Sequence, residues 1–179
     1  NTDKIYFDAE DGKVNYFSCK LNKSEFINEK IDVNRIIEKS NNSISGTEAY
    51  KIMKAKNFNF GNQIKSISKY YYGEMSCLIE LLPKSNNNFK INPTYLDSCL
   101  TSSIIYLGYT NKITYLPISI NILLQNLDMK LTAHYVYTEI KELNYDNMIQ
   151  DSYILDINGS VIAKFLDVKS ANVTKSIIN

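Results

Sequence analysis

The sequence predicts an α+β fold in which one antiparallel β-sheet wraps around a single central helix. Most of the chain consists of short runs with the period-two alternation of half-buried strands, separated by turn signals such as Asp11-Gly12 and Asn158-Gly159. One long stretch, residues 91–108, instead places apolar side chains at helical spacing. A strand-rich chain with one long apolar helix can bury that helix by wrapping its sheet around it.

Composition indicates a folded domain without a nucleic-acid or membrane partner. The 179 residues suit one domain, and 44% hydrophobic with 22% charged residues allow a sizeable core. The formal net charge of +1 gives no electrostatic reason to expect nucleic acid or an anionic lipid surface. No apolar run approaches the roughly 20 residues that span a bilayer. The first residues, NTDKIYFDAEDG, lack a starting Met and the features of a signal peptide, so we interpret the chain as part of a longer polypeptide.

The cysteines predict neither a disulfide framework nor a metal site. Cys19, Cys77 and Cys99 are odd in number and far apart, and no CxxC motif is present. Reduced thiols in a cytoplasmic protein are the simplest interpretation. Cys99 is therefore expected to be a small buried core residue, with a nucleophile as the weaker alternative.

The N-terminal part of the chain divides into strands, a linker and a short helix. Residues 1–28 contain two strand-like runs, KIYFD and KVNYFSCKL. Residues 29–46 are predicted as a linker, in which 29–40 form a short polar helix or connection and 40–46 form a loop. The helix that follows has Thr47 as its predicted N-cap, with Tyr50 and Met53 facing the core.

Residues 47–175 form the main body. Strands are predicted around 64–72 and 75–82, and a loop over 83–88 precedes the central helix. Asn92 is the expected N-cap of that helix, and Pro93 is its first residue. Three strand-rich stretches follow, of which the last is a hairpin over Asn158-Gly159. The apolar stripe of the helix, expected to face the core, consists of Leu96, Leu100, Ile104 and Leu107.

Asp97 lies beside this stripe and requires an explanation. A carboxylate in apolar surroundings costs several kcal/mol unless it is paired, protonated or used in chemistry. Alternatively, Asp97 is an exposed acid near the start of the helix, where it stabilises the helix dipole. The residue pattern alone leaves both interpretations open.

Two stretches before the last strands resemble the dehydratase domain of modular polyketide synthases. YKIMKAKNFNFGNQI (50–64) is similar to the family's tyrosine-led helix and the YGxxF motif that follows it, with Phe60 and Gly61 at the first two positions of the motif. INPTYLDSCLTSS (91–103) resembles the family's HPxxLDxxxQ helix, in which Pro93, Leu96 and Asp97 are retained.

Two later stretches extend the resemblance in register. YLPISI (115–120), which contains Pro117, is similar to the family's LPxxI strand, and SYILDINGSVIAKFLDV resembles its closing hairpin. The resemblance implies a double-hotdog fold in which residues 47–175 are the C-terminal hotdog. Residues 1–28 would then be the end of a preceding hotdog or N-terminal strands, joined through the linker 29–46.

The resemblance also implies the reaction, which is loss of water from a β-hydroxyacyl thioester carried on an acyl carrier protein. In the family a His removes the α-proton, and Asp97 would deliver a proton to the leaving hydroxyl or orient it. An apolar site that raises the pKa of Asp97 would support this role. The positions that the resemblance places at the substrate are Thr101, Phe60, Gly61, Pro93, Leu96 and Pro117.

Three departures from the family pattern raise the possibility of a domain without activity. The family's base belongs to an HxxxGxxxxP motif, which this chain lacks. The only histidine, His134, lies in a strand-like run and is expected to be structural. Thr101 stands where the family has Gln or His, and Phe60 lacks the hydroxyl of the family's Tyr.

The alternatives follow from these departures. The chain is either part of an active dehydratase or a non-catalytic docking or product-template module of a synthase, and an isomerase would use the same residues. We expect no cofactor beyond the phosphopantetheine arm that carries the substrate. The expected partners are an acyl carrier protein, other synthase domains and the N-terminal hotdog half, with a homodimer also possible.

Overall fold

The computed structural model describes residues 3–8, 15–21, 28–84, 91–110, 113–125 and 132–174. Three helices and nine strands occupy these ranges. The helices are α1 (Val33–Lys39), α2 (Gly46–Ala55) and α3 (Pro93–Thr110). The strands are β1 (Asp3–Asp8), β2 (Asn15–Leu21), β3 (Asn42–Ser45), β4 (Ile67–Gly73), β5 (Ser76–Leu81), β6 (Tyr115–Gln125), β7 (Tyr135–Leu143), β8 (Asn147–Leu155) and β9 (Val161–Asn172).

One antiparallel sheet dominates the structure. Its seven strands follow the order β3-β4-β5-β7-β8-β9-β6, so β3 and β6 are its edges. The helix α3 packs against β5, β7 and β8 in the middle of this sheet, and α2 packs against α3 and β4. The strands β1 and β2 form a separate antiparallel pair, as predicted for residues 1–28, and the turn predicted at Asp11-Gly12 lies outside the described residues. The predicted α+β architecture, with one sheet around one central helix, is confirmed.

The main core fills the space between the concave face of the sheet and the two longer helices. A second, smaller cluster lies on the opposite face, where α1 covers Leu78, Leu155 and Val161. Within the described ranges, no helix combines the length and the apolar character needed to cross a bilayer. The largest side chains of the main core are fully buried and include Tyr70, Tyr95, Met53, Ile79, Ile105 and Ile154.

Local hydrogen bonds explain where the two longer helices begin. The Ser45 hydroxyl accepts from the backbone N–H of Glu48, and the Glu48 carboxylate accepts from the Ser45 N–H, which is a capping box. The predicted N-cap Thr47 is therefore wrong by two positions. At α3 the prediction is confirmed, because the Asn92 side chain accepts from the Thr94 N–H at 3.0 Å and Pro93 is the first helical residue.

The segment predicted as linker and loop contains regular structure. Residues 29–46 include α1 and also β3, which pairs with β4 from Asn42↔Tyr72 to Ser45↔Lys69. The prediction of a loop over 40–46 is therefore wrong for most of that stretch. Asn and Ser disfavour strands, but pairing with β4 and the packing of Ile44 against the main core override that preference.

The hairpin between β8 and β9 depends on Asp156 and Gly159. The Asp156 carboxylate accepts from the N–H of Asn158 at 2.9 Å and from the N–H of Ser160 at 2.7 Å. Gly159 has φ +82°, and a Cβ at this position would overlap the carbonyl oxygen of Ile31. Glycine is therefore required here both by the backbone conformation and by the close approach of the segment before α1.

Gly159→Ala should lower the free energy of unfolding by roughly 1–3 kcal/mol, because it combines a strained φ with a backbone overlap. The matched control is Gly61→Ala, because a Cβ on Gly61 meets no atom within 4 Å. Urea unfolding of both variants measures the difference. Equal unfolding midpoints for the two variants would contradict this account of the hairpin.

Candidate active site around Asp97

Asp97 is the fifth residue of α3 and is half-buried. Because successive helical residues turn by about 100°, it lies roughly 160° around the helix from Cys99. Cys99 faces the sheet and is fully buried. Asp97 therefore projects from the side of α3 that faces away from the sheet.

Burial dominates the electrostatics of Asp97. Loss of solvent raises the pKa of its carboxyl, and within the described part of the chain the carboxylate has no hydrogen bond or ion pair. Burial also raises the pKa of the Cys99 thiol well above its usual value, and the nearby Asp97 charge raises it further. Cys99 is therefore a protonated, buried thiol, which agrees with its prediction as a core residue and not as a nucleophile.

Thr101 lies one turn after Asp97 but does not contact its carboxylate. The Thr101 hydroxyl donates to the backbone carbonyl of Asp97 at 3.0 Å. This bond within the helix uses the only proton of the hydroxyl, so Thr101 cannot also donate to the carboxylate. The orienting contact that the family pattern implies at this position is absent from the described structure.

The segment that carries Phe60 and Gly61 is held against the N-terminal half of α3. The Tyr50 hydroxyl accepts from the N–H groups of Ser66 and Ile67 at 2.7 and 3.2 Å, and the rings of Tyr50 and Phe60 are 5.9 Å apart. The Ser66 hydroxyl is 2.7 Å from that of Ser98, the residue after Asp97. These contacts bring residues 58–66 to the same end of α3 as Asp97.

The other predicted substrate-binding residues lie in different places. Leu96 packs at the margin of the main core beside Asp97, and Pro93 is exposed at the start of the helix. Pro117 lies in β6 opposite Ser170, close to Tyr115, which packs with Leu107. Leu107 is ten residues beyond Asp97, about 15 Å along the helix. The structure therefore groups Leu96 and the 58–66 segment near Asp97 and places Pro117 toward the other end of α3.

The face of α3 that contacts the sheet is more polar than predicted. The expected stripe is only partly correct, because Leu96 and Leu100 are half-buried at its margin while Ile104 and Leu107 are buried. The side chains directed at the sheet include Ser98 and Ser102, which are buried and hydrogen-bonded. An apolar periodicity cannot identify a helix face on which serines are buried.

A buried polar layer joins α3 to the sheet, and sequence reasoning missed it. Its members are Ser102 on α3, Thr138 on β7 and Gln150 and Ser152 on β8, all fully buried. One signal was available in the alternation of β8, since Gln150 and Ser152 occupy inward positions between the apolar Met148 and Ile154. Inward polar residues in such an alternation indicate a buried hydrogen-bonded network.

Two grooves are present on the outer face of the sheet beside α1, and neither is lined by Asp97. Neither groove therefore forms part of the surroundings of Asp97. Within the described ranges, no three potential metal ligands come together. The arrangement at Asp97 is that of an isolated acid near an apolar helix surface, suited to hold or direct a proton.

Asp97→Asn should raise the free energy of unfolding at pH 7 and leave it unchanged below about pH 4. The folded-state pKa of this carboxyl lies above its unfolded value, so the folded chain binds more protons between the two values. Wild-type stability should fall as pH rises through that window, because the buried charge then carries its full cost.

Urea unfolding between about pH 3 and pH 8 tests this dependence. The control is Asp146→Asn, which changes an exposed acid and should show no such gain. A stability gain for Asp97→Asn that is the same at both ends of the pH range would contradict the assignment of a buried, proton-holding acid.

The fold matches solved dehydratase domains of polyketide synthases. It aligns with a trans-AT PKS dehydratase domain from Brevibacillus brevis with a TM-score of 0.81, at 17% identity over 96% of this chain and 64% of that one. The dehydratase domain from the CurF module of curacin polyketide synthase gives 0.77, at 16% identity over 96% of this chain and 64% of that one. The dehydratase domain of MlnD from Bacillus amyloliquefaciens gives 0.71, at 15% identity over 92% and 63%.

The chain therefore spans less than two thirds of the length of these solved domains, and its sheet and central helix are those of a hotdog fold. A search of curated proteins found no match. A family model described as polyketide synthase dehydratase N-terminal domain matches residues 29–177, which is most of the chain. This chain belongs to the polyketide synthase dehydratase family.

Proposed function

We propose that this chain is the Asp97-bearing half of a dehydratase that removes water from a β-hydroxyacyl thioester on an acyl carrier protein. The observation that supports it is the half-buried carboxyl of Asp97, whose pKa is raised by burial near the start of the central helix. An acid that keeps its proton closer to neutral pH can protonate a leaving hydroxyl.

The reaction divides into two proton transfers. A base takes the α-proton of the substrate, and the electron pair of that C–H bond forms the new carbon–carbon double bond. The β-carbon–oxygen bond breaks, and the hydroxyl leaves as water after it receives the proton of Asp97. Both transfers use side chains, so we propose that the phosphopantetheine arm of the carrier protein is the only prosthetic group involved.

We propose that the base comes from another hotdog half and that this chain is the C-terminal one. The matching family description names an N-terminal domain, but the chain contains the LDxxxQ-like helix and lacks HxxxGxxxxP. His134 is an unsuitable base, because its backbone bridges Leu81 and Leu155 and its ring lies against Tyr135 at 4.6 Å. An N-terminal half would be expected to carry the histidine of the pair, whereas this chain carries the aspartate and no such histidine motif.

The edge strand β6 is the surface that we propose contacts the other half. Among the strands that the structure describes it pairs only with β9, so the backbone groups on its second side have no strand partner there. It also exposes an unusual number of apolar side chains, namely Leu116, Ile118, Ile120, Ile122 and Leu123. A second sheet edge paired with β6 would cover these residues and supply further walls for a tunnel beside α3. The remaining proposed partners are the carrier protein and other synthase domains of the cytoplasm.

A non-catalytic module is the second candidate, and two features of the site residues favour it. The Thr101 hydroxyl is engaged by the helix backbone, and Phe60 has no hydroxyl to direct at a substrate. In that case the hotdog would hold synthase domains together or bind a growing chain. The presence or absence of HxxxGxxxxP in the parent polypeptide upstream of Asn1 separates the two candidates.

Asp97→Asn should lower the turnover number of the dehydratase that contains this chain by at least about a hundredfold, because the amide cannot donate the proton. The assay uses a β-hydroxyacyl carrier-protein substrate and detects the unsaturated product by mass. His134→Gln is the control and should retain full turnover. Undiminished turnover of Asp97→Asn would exclude the acid role, and an inactive wild type with an intact histidine motif would favour the non-catalytic module.

Ile118→Asp should prevent association with the other hotdog half, because it places a charge in the centre of the proposed contact. The matched control is Ile157→Asp, since Ile118 and Ile157 are both 64% exposed and Ile157 lies in the β8–β9 turn. Analytical ultracentrifugation of the two variants with the separately expressed half measures the effect. Equal association of both variants would rule out the β6 surface as the contact.

A further inference from the structure

The polar layer beneath α3 is a closed, directional chain of hydrogen bonds. The Ser152 hydroxyl donates to the backbone carbonyl of Cys99 at 3.0 Å, so it must accept in its 2.8 Å contact with Thr138. Thr138 then donates to Ser152 and accepts from Ser102 at 2.7 Å. The chain of donors starts on α3, passes through β7 and β8, and returns to α3 three residues before its starting point.

Gln150 is a second donor to the backbone carbonyl of Cys99. Its side-chain N–H₂ donates to the Cys99 carbonyl at 2.8 Å and to the Ser152 hydroxyl at 3.2 Å. Its side-chain oxygen, in contrast, is buried without a partner in the described structure. A buried amide with half of its capacity unmet is costly, and an apolar side chain of similar volume would avoid that cost. Gln150 is therefore poorly explained by stability alone.

The layer fixes α3 in a way that apolar packing does not. Apolar contacts are non-directional and permit small rotations, whereas hydrogen bonds to a single carbonyl restrict the angle and height of the helix. A second anchor lies one turn further, where the Tyr70 hydroxyl donates to the Ser102 carbonyl at 3.0 Å. Two fixed carbonyls on one rigid helix determine where the opposite side of that helix points.

Asp97 lies on that opposite side, two residues before Cys99. A rotation of α3 by roughly 20° would move a group about 5 Å from the helix axis by about 2 Å. A displacement of about 1 Å at a reacting group can reduce a rate by roughly a hundredfold. A small change in the polar layer would therefore displace a proton donor at Asp97 far enough to lower its rate of proton transfer strongly.

We infer that Gln150, Ser152 and Thr138 are positioning residues that set the rotation of α3 and thereby place the Asp97 carboxylate. The inference rests on the proposed function, since it assigns a purpose to the placement of Asp97. It goes beyond that function because none of the three residues reaches the substrate side of the helix.

Gln150→Leu and Ser152→Ala test the inference with two readouts. In the dehydratase that contains this chain, kcat should fall by about tenfold to a hundredfold while KM stays unchanged, because the acid is misplaced but the substrate still binds. In the full chain labelled for carboxyl-carbon NMR, the titration midpoint of Asp97 should differ from that of the wild type. Loss of stability alone would move neither quantity in the folded protein.

Two further variants serve as controls. Ser103→Ala removes a buried hydroxyl of the same helix that has no partner in the described residues, and it should leave kcat and the Asp97 titration unchanged. Ser152→Thr keeps the hydroxyl and should recover most of the kcat lost in Ser152→Ala. If one of the two test variants does not fold, the other still provides both readouts.

The possible outcomes distinguish this inference from the proposed function. Wild-type kcat and an unmoved Asp97 titration in Gln150→Leu and Ser152→Ala would overturn the positioning role, even where Asp97→Asn is inactive. Full turnover of Asp97→Asn would instead overturn the acid role. A displaced Asp97 titration in the two test variants would still support their control of α3 in that case.

Discussion

The packing of α3 into the concave face of the seven-stranded sheet is the interaction on which the rest of the structure depends. Five strands, β4, β5, β7, β8 and β9, contribute buried side chains to the core that surrounds this helix. Without α3 the inner face of the sheet would be exposed. Its sheet-facing side is therefore fixed by the core, and its other side remains available for chemistry.

The two edge strands of the sheet differ in length and in the apolar side chains that they expose. This difference indicates which edge is suited to contact another sheet. β3 has four residues, and three of them are polar and exposed, so it is a short edge that resists further pairing. β6 has eleven residues and exposes apolar side chains along its length. Of these two edges, β6 lacks the usual protection of an edge strand, although Pro117 removes one N–H near its start. This asymmetry favours an assembly in which β6 is covered.

Local signals were sufficient to predict the elements whose ends are determined by nearby residues. Asn92-Pro93 identified the start of α3, and Asn158-Gly159 identified the last hairpin, because a cap and a tight turn depend on a few adjacent groups. β3 was missed because its strand conformation comes from pairing with β4, about 25 residues away. The residue pattern alone does not contain that contact.

The candidate site could be predicted only in part, again because some of its contacts join residues that are far apart in the sequence. Asp97 was identified through its motif, but the surroundings that decide its behaviour are long-range. The anchors of the neighbouring Cys99 carbonyl are 51 and 53 residues away in sequence, on β8. The sequence shows that Thr101 stands where the family has Gln or His. The effect of this difference on Asp97 follows only from the structure. In the folded chain the Thr101 hydroxyl donates to the helix backbone, a contact that the residue pattern does not indicate.

Because the Thr101 hydroxyl donates to the helix backbone, it cannot orient the carboxyl group of Asp97 by donating to it. A carboxylate with a raised pKa and no hydrogen bond within the described residues keeps its proton more readily, but nothing on its own helix holds the carboxyl group in one direction. Its placement must then come from the backbone beneath it and from whatever covers that face of α3. The polar layer at Cys99 holds that backbone against the sheet. Under the proposed function, the covering surface would be the other hotdog half, and the acid would acquire a defined direction from this rigid packing rather than from a neighbouring side chain.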